Sequence, residues 1–509
     1  MTKHFNTLVI SDLHFGEDLS PSATEVQTRH IDLVEEQLCA FLRHYSRRRE
    51  GGRPWRLVIN GDLCDFLAIS VFPGDPGLGD SASATAIERI YGVGRTPGAA
   101  RQKMRAIVDR HPALFRALAR FLARDNRVDI VCGNHDAELF WPEVQAVFRD
   151  AVAAACVAAN DARQTVAAGA RPPTAPPVGE VLSRLEFHQW FVHEPGAYWI
   201  EHGHQYDENC SFEYGLNPVA PGSEEIATNV DAAASRFVTN RVREADPHAQ
   251  EDWSFGGYLS FGMSLGARGI WRLGRAYAQF SWALIKMWRL CASRSATATE
   301  RRALHFSRLE ALAAKEGIPA ATLRALDHLH RRPVTRNLSR LLKVLMLDKL
   351  LLYSAAILVA LVAMMALPLL WGVTAVVATA LVAAGGSWIL SRGRHIDPSL
   401  ALELSPSRIR KHLGVDLVIF GHTHRPVARA LDGGGHYFNS GTWVPSGRPG
   451  ILRAFTHIII RQSDHGTAAT LCQWRDGASR ALTADWRPRA QKVAAEPVTA
   501  PGEAAPVAA

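Results

Sequence analysis

The chain has 509 residues, 47% of them hydrophobic, and a formal net charge of +8. That length and apolar content exclude a small stapled peptide and leave room for two or three domains, or one domain with a large insertion. Seven scattered cysteines with no CxxC pair argue against a disulfide framework and suit a reducing compartment, while the positive balance favours anionic partners: nucleic acid, lipid headgroups or phosphate esters.

The first apolar run, TLVI at residues 7–10, reads as a buried strand that stops at Ser11 and Asp12. No secretory signal precedes it, which predicts a cytoplasmic catalytic part. Residues 30–48 read as an amphipathic helix, with Ile31, Val34, Leu38, Phe41 and Leu42 on one face. WRLVINGDLCDF is a second strand ending at Gly61. Residues 101–124 read as a helix with Leu114, Leu118, Phe121 and Leu122 on one side. RVDIVCGNHD is a third strand, ending at Gly133. Strands alternating with helices, each closing on polar residues, predict an α/β sheet with a site at one edge. Residues 151–180 are rich in Ala and Pro and read as a helix followed by an exposed linker. Strands return in LEFHQWFVHEPGAYWIEHGHQYD, and later in VDLVIFGHTHRP, HYFNSGTW, ILRAFTHIIIRQ and AATLCQWRDG. The tail, residues 487–509, has few large side chains and reads as disordered.

The predicted organisation is a globular domain in two parts, residues 1–210 and 411–486, split by a helical insertion at 211–410. From Leu350 to Ser391 the insertion carries no charge. One bilayer crossing needs about 20 apolar residues, so the run fits two spans, 350–369 and 373–391, turning near Pro368, Trp371 and Gly372. The alternative is one helical hairpin buried in a soluble core. Arg331, Arg332, Arg336, Arg340, Lys343 and Lys349 precede the run; Arg392, Arg394, Arg408, Arg410 and Lys411 follow it. The turn carries none. This asymmetry predicts a multi-pass protein of the inner (cytoplasmic) membrane with both ends in the cytoplasm. Between Trp253 and Thr299 there is no acidic residue. At 100° per residue, Arg268, Arg272, Arg275, Gln279 and Lys286 share one face, and Ile270, Leu273, Tyr277, Phe280, Leu284 and Trp288 the other. A helix at about 266–290 lying in an anionic membrane interface is the expectation; an ordinary surface helix packed on the domain is the alternative. Nucleic acid fits this helix less well, because its aromatic residues face away from its charge.

The strand ends carry the chemistry. Asp12 and His14 stand in DLH, Asp62 and Asp65 in GDLCD, and Asn134, His135 and Asp136 in GNHD. His202 and His204 stand in HGH, and His422 and His424 in GHTH. Carboxylates, imidazoles and an amide form a ligand set for first-row divalent metals. A Gly beside each group permits a sharp turn and close backbone approach. In a loop, the two histidines of GHTH can straddle a pair of ions. His188 and His193 lack ligand spacing and read as structural; Cys64 and Cys132 read as packing residues.

In these blocks the sequence resembles the calcineurin-like metallophosphoesterases, whose pattern is DxH, GDxxD, GNHD or GNHE, a lone His before Gly, then GHxH. All five blocks are present in order, over roughly residues 5–210 and 411–475. The resemblance implies a four-layer α/β sandwich and two divalent ions: manganese first, with iron, zinc or cobalt as alternatives. One ion would be held by Asp12, His14 and His424, the other by Asn134, His202 and His422, with Asp62 bridging. His135 would be catalytic, contacting a phosphoryl oxygen or protonating the leaving group, with Asp65 or Asp136 orienting it. His204 would stand behind the ligands or touch substrate.

Two cations about 3.5–4 Å apart clamp a phosphate and activate a water as hydroxide at neutral pH. The ligand set lies on both sides of the hydrophobic run, so an even number of crossings is required to keep it in one compartment. A membrane-anchored metal-dependent phosphoesterase is expected, acting on a phosphate ester or diphosphate that carries, or is delivered with, lipid. Within the family it is distantly like the UDP-2,3-diacylglucosamine diphosphatases. It departs from them in its long insertion and in His204, where that branch has Asp. The alternatives are a nuclease or nucleotide phosphodiesterase, and a non-catalytic metal-binding scaffold.

Overall fold

The computed structural model describes residues 5–75, 78, 84–166, 176–241, 266–292, 296–391, 398–445, 454–463 and 466–484. The tail predicted from residue 487 lies outside these, as do Arg392 and Arg394 and most of the linker before residue 176. Twelve described strands run in chain order: β1 (Asn6–Ile10), β2 (Trp55–Asn60), β3 (Arg127–Val131), β4 (Leu185–His188), β5 (Phe191–Glu194), β6 (Tyr198–Glu201), β7 (Leu417–Phe420), β8 (Val427–Ala430), β9 (His436–Asn439), β10 (Thr456–Ser463), β11 (Gly466–Arg475) and β12 (Ala478–Ala481).

They form two mixed sheets, ordered β12-β11-β10-β1-β2-β3-β4 and β5-β6-β7-β9-β8. The runs β1-β2-β3-β4 and β6-β7-β9 are parallel. Antiparallel strands close three of the four edges, β12, β5 and β8. Parallel strands are buried on both faces, hence the continuous apolar runs. Val9, Val58 and Val131 of the first sheet share one apolar cluster with Ile200, Ile419 and Phe438 of the second, so the sheets pack face to face. The first sheet's other face is covered by helices Glu25–Arg47, Pro97–Arg110, Pro112–Leu122 and Pro142–Val166.

Three expectations about helices are corrected. The helix read at 101–124 is two, broken at His111, because Pro112 disfavours helical backbone in the residue before it. Helices Ala296–Glu316, Ala320–Asp327 and Pro398–Leu413 fall within the insertion by sequence, yet Leu309, Leu323, Leu326 and Ile409 pack on the outer face of the second sheet. They complete the core on that side. The Gly266–Ala292 helix forms as expected, but its apolar face is turned inward. Phe280 and Leu284 are buried with Ala233, Phe237, Val334, Leu341 and Leu345. To solvent this helix shows Arg268, Arg272, Tyr277 and Lys286, and also Trp271 and Trp282, each beneath a guanidinium, Arg275 and Arg289 respectively. The side chain of Ile270 lies outside the described residues.

The uncharged run forms two helices, Leu347–Ala366 and Leu369–Ser391, each long and apolar enough to cross a membrane. Their turn is at Leu367–Pro368, a few residues earlier than expected. They pack on each other: Gly372 meets Met364, and Gly386 meets Leu352. Lys349 Nζ donates to Ser391 Oγ at 2.7 Å and ties the base. The first helix buries no residue and the second only Gly372 and Ala383. This is not the buried core hairpin of the alternative reading.

Candidate metal centre

The site is built by strand ends that turn sharply. Nine non-glycine residues among those described have positive φ, and five of them are Asp12 (56°), His14 (53°), Asp62 (52°), His422 (69°) and His424 (55°). Left-handed backbone at a residue with a Cβ costs of order 1–3 kcal/mol and persists where the surroundings enforce it, most often at functional sites. Here it folds each loop back so that its side chains face one another. The neighbouring glycines serve close approach. A Cβ on Gly61 would lie 2.2 Å from His202 Nδ1, one on Gly133 2.1 Å from Asp62 Oδ1, and one on Gly421 2.8 Å from Ser11 Oγ.

The side chains gather in two groups. Asp12, His14 and His424 place ligand atoms within 4.8 Å of one another, and so do Asp62, His202 and His422. In the first, His14 Nε2 lies 3.3 Å from His424 Nε2, and His424 Nε2 3.2 Å from Asp12 Oδ1. In the second, His202 Nε2 is 3.1 Å from Asp62 Oδ2, and its Nδ1 donates to the Asn60 carbonyl at 2.8 Å, which fixes the ring. Asp62 also groups with His14 and His135. The two histidines of GHTH therefore part company, one to each group. Asn134 follows Gly133 beside Asp62, and its buried Oδ1 has no hydrogen-bond partner. A buried amide oxygen without a partner is costly, and a cation is the partner it suits. Several of these groups can thus hold a metal ion.

His135 is flanked by carboxylates. Its Nδ1 is 3.1 Å from Asp65 Oδ1, and its Nε2 is 3.4 Å from Asp231 Oδ2. Burial disfavours its charged form, but Asp65, Asp231 and Asp62 outweigh that and hold its pKa well above the ordinary histidine value. Asp65 also reaches His14 Nδ1 at 3.4 Å. Burial raises the Asp65 carboxyl, and the two imidazoles, His135 foremost, more than reverse this, so it stays ionised. Asp136 does not orient His135. It accepts from Leu63 N at 2.8 Å and Gly133 N at 2.5 Å, tying two site loops together. Burial and the neighbouring Asp62 charge push it up to about 7. His204 is buried outside both groups, and burial with the charges of His202 and His422 keeps it neutral.

Three residues near the site had no signal in the motifs. Asp207 Oδ2 stands 3.3 Å from His422 Nε2 and forms a further group with Cys210. Asp231, 3.0 Å from Asn134 Nδ2, comes from the insertion. Only the closeness of Asp207 to the HGH block was readable beforehand. His188 pairs with Asp129 at 2.7 Å, which also binds Arg56 and Arg127. Cys64 and Cys132 are buried, and burial pushes both thiols well up; they are packing residues. A cleft of about 720 Å³ opens over the site, with Asn134, His135, His422 and His424 on its floor and Arg425 and Arg429 on its wall. Comparison of the chain with models of known families and with curated proteins finds no match.

Proposed function

We propose that the protein is a membrane-anchored, dinuclear metal-dependent phosphoesterase with the four-layer sandwich of the calcineurin-like metallophosphoesterases. The observation that carries this is the paired arrangement: two three-residue groups stand side by side, Asp62 belongs to one and abuts the other, and the His135 imidazole, flanked by Asp65 and Asp231, lies beside them. The layering of helices, two sheets and helices supports the fold part of the reading.

When bound, two divalent cations supply positive charge for a phosphate and lower the pKa of a water. The chain's own groups do the rest. Asp12, His14 and His424 would hold one cation, and Asn134, His202 and His422 the other. Asp62, which groups with residues on both sides, would be shared between them. His135, kept charged by Asp65, holds a proton on Nε2 for the phosphoryl or leaving-group oxygen. Arg425 lines the cleft and could meet an anionic ester, while Arg429 is tied to Glu403. The described neighbours of the hairpin leave its apolar surface uncovered, and a bilayer covers it best. Both ends of the hairpin, and the site, would then share the cytoplasmic face.

The test is hydrolysis by the detergent-solubilised protein of an aryl phosphate mono- or diester with added manganese, followed by a panel of lipid phosphates, nucleoside diphosphate lipids and cyclic nucleotides. Turnover that is lost in Asp62→Asn supports the reading. Two ions bound with no turnover on any ester would make the protein a metal-binding scaffold.

A further inference from the structure

We infer that Asp231 is a positioning residue of this metal centre: its carboxylate holds the Asn134 side-chain amide with Oδ1 turned toward the cations. The inference rests on the dinuclear reading above and adds to it a residue of the insertion that lies outside the motif blocks.

A side-chain amide has two ends of almost the same shape, and only the oxygen binds a cation. Something must select the orientation. Asn134 Nδ2 donates to Asp231 Oδ2 at 3.0 Å, which turns Oδ1 the other way, where it is buried without a hydrogen-bond partner. Asp231 itself is held firmly. It lies in the first turn of the Val230–Phe237 helix, where a carboxylate is favoured by the helix dipole. Asn229 caps that turn, accepting from Ala232 N at 2.9 Å and donating to the Cys210 carbonyl at 2.6 Å. Val230 N donates to the Asn209 carbonyl at 3.0 Å. The turn is thereby pinned to the loop that follows His202.

The same Oδ2 is 3.4 Å from His135 Nε2, longer than a good hydrogen bond. Asp231 therefore binds Asn134 and only leans on His135, leaving the ring proton available to a leaving group. Partners behind a ligand commonly change metal affinity 10–100-fold.

The experiment measures Mn²⁺ binding by full-length, detergent-solubilised protein, using calorimetry for stoichiometry and affinity and electron paramagnetic resonance for the spin-coupled pair. Asp231→Ala should weaken one of the two ions about 10–100-fold, lose the coupled signal at limiting metal, and leave the other ion unchanged. Asp231→Asn, whose carbonyl can still accept from Asn134 Nδ2, should restore most of that loss. In the Asn134→Asp background both ends of the side chain are oxygen, so Asp231→Ala should weaken the ion no further. An alanine variant that binds both ions as tightly as wild type overturns the assignment. So does an asparagine variant as weak as alanine, which would show that charge and not orientation matters. Wild type taking up fewer than two ions overturns the dinuclear reading, and this assignment with it.

Discussion

The metal centre and the hairpin are opposite kinds of structure. At the centre the deepest polar groups are walled in: Asp12, Asp62 and His202 are almost fully buried, and the backbone is held in left-handed conformations to bring the site together. In the hairpin the large apolar side chains have no such enclosure: Met365, Leu370 and Leu369 are 88%, 77% and 74% exposed. A buried polar group costs free energy unless it is paired, and a large exposed apolar surface marks an interaction site.

The strongest way to break this contrast is at the imidazole. His135→Ala should cut turnover on an aryl phosphate by about 10²–10⁴-fold while both ions still bind, measured by steady-state rates beside metal analysis. Next is the backbone. Gly133→Ala places a methyl against Asp62 Oδ1 and should destabilise the fold by about 1–3 kcal/mol, as overpacking does. A lowered Tm with loss of bound metal is the expected result.

Excising the hairpin tests the other half. Lys349 and Ser391 are bonded at its base, so a short Gly-Ser linker between them closes the gap. The trimmed protein should leave the membrane fraction without detergent and keep its turnover on a soluble ester; loss of that turnover would tie the hairpin to the chemistry.

The smallest expected effect is in pH. Asp65, Asp231 and Asp62 raise the folded pKa of His135. Its ion pairs therefore stabilise chelator-treated protein fully below about pH 6.5, the unfolded value, and that contribution fades as pH rises through the raised value. Denaturant midpoints measured across this range should fall with pH, and the slope should flatten in Asp65→Asn.

The motif residues were legible because their constraint is local. A strand, a glycine and a ligand occupy a few adjacent positions, and each block carries its own turn. Asp231 was not, since its role depends on a helix arriving from about a hundred residues downstream of Asn134. Periodicity found the Gly266–Ala292 helix but misplaced its apolar face, because a lipid surface and the Phe237–Leu341 cluster ask for the same pattern. The alternating strands and helices gave an α/β sheet. The division into two sheets followed only from the resemblance and not from the alternation itself, for it is set by which edges β5 and β8 close.

The ends of the chain meet in this architecture: β1 pairs with β10, and Asp12 faces His424. A ribosome makes the hairpin before it makes His422 and His424. A nascent chain therefore contains both apolar helices before either three-residue group can be completed. On the reading proposed above, a chain truncated before His422 would lack a ligand of each group.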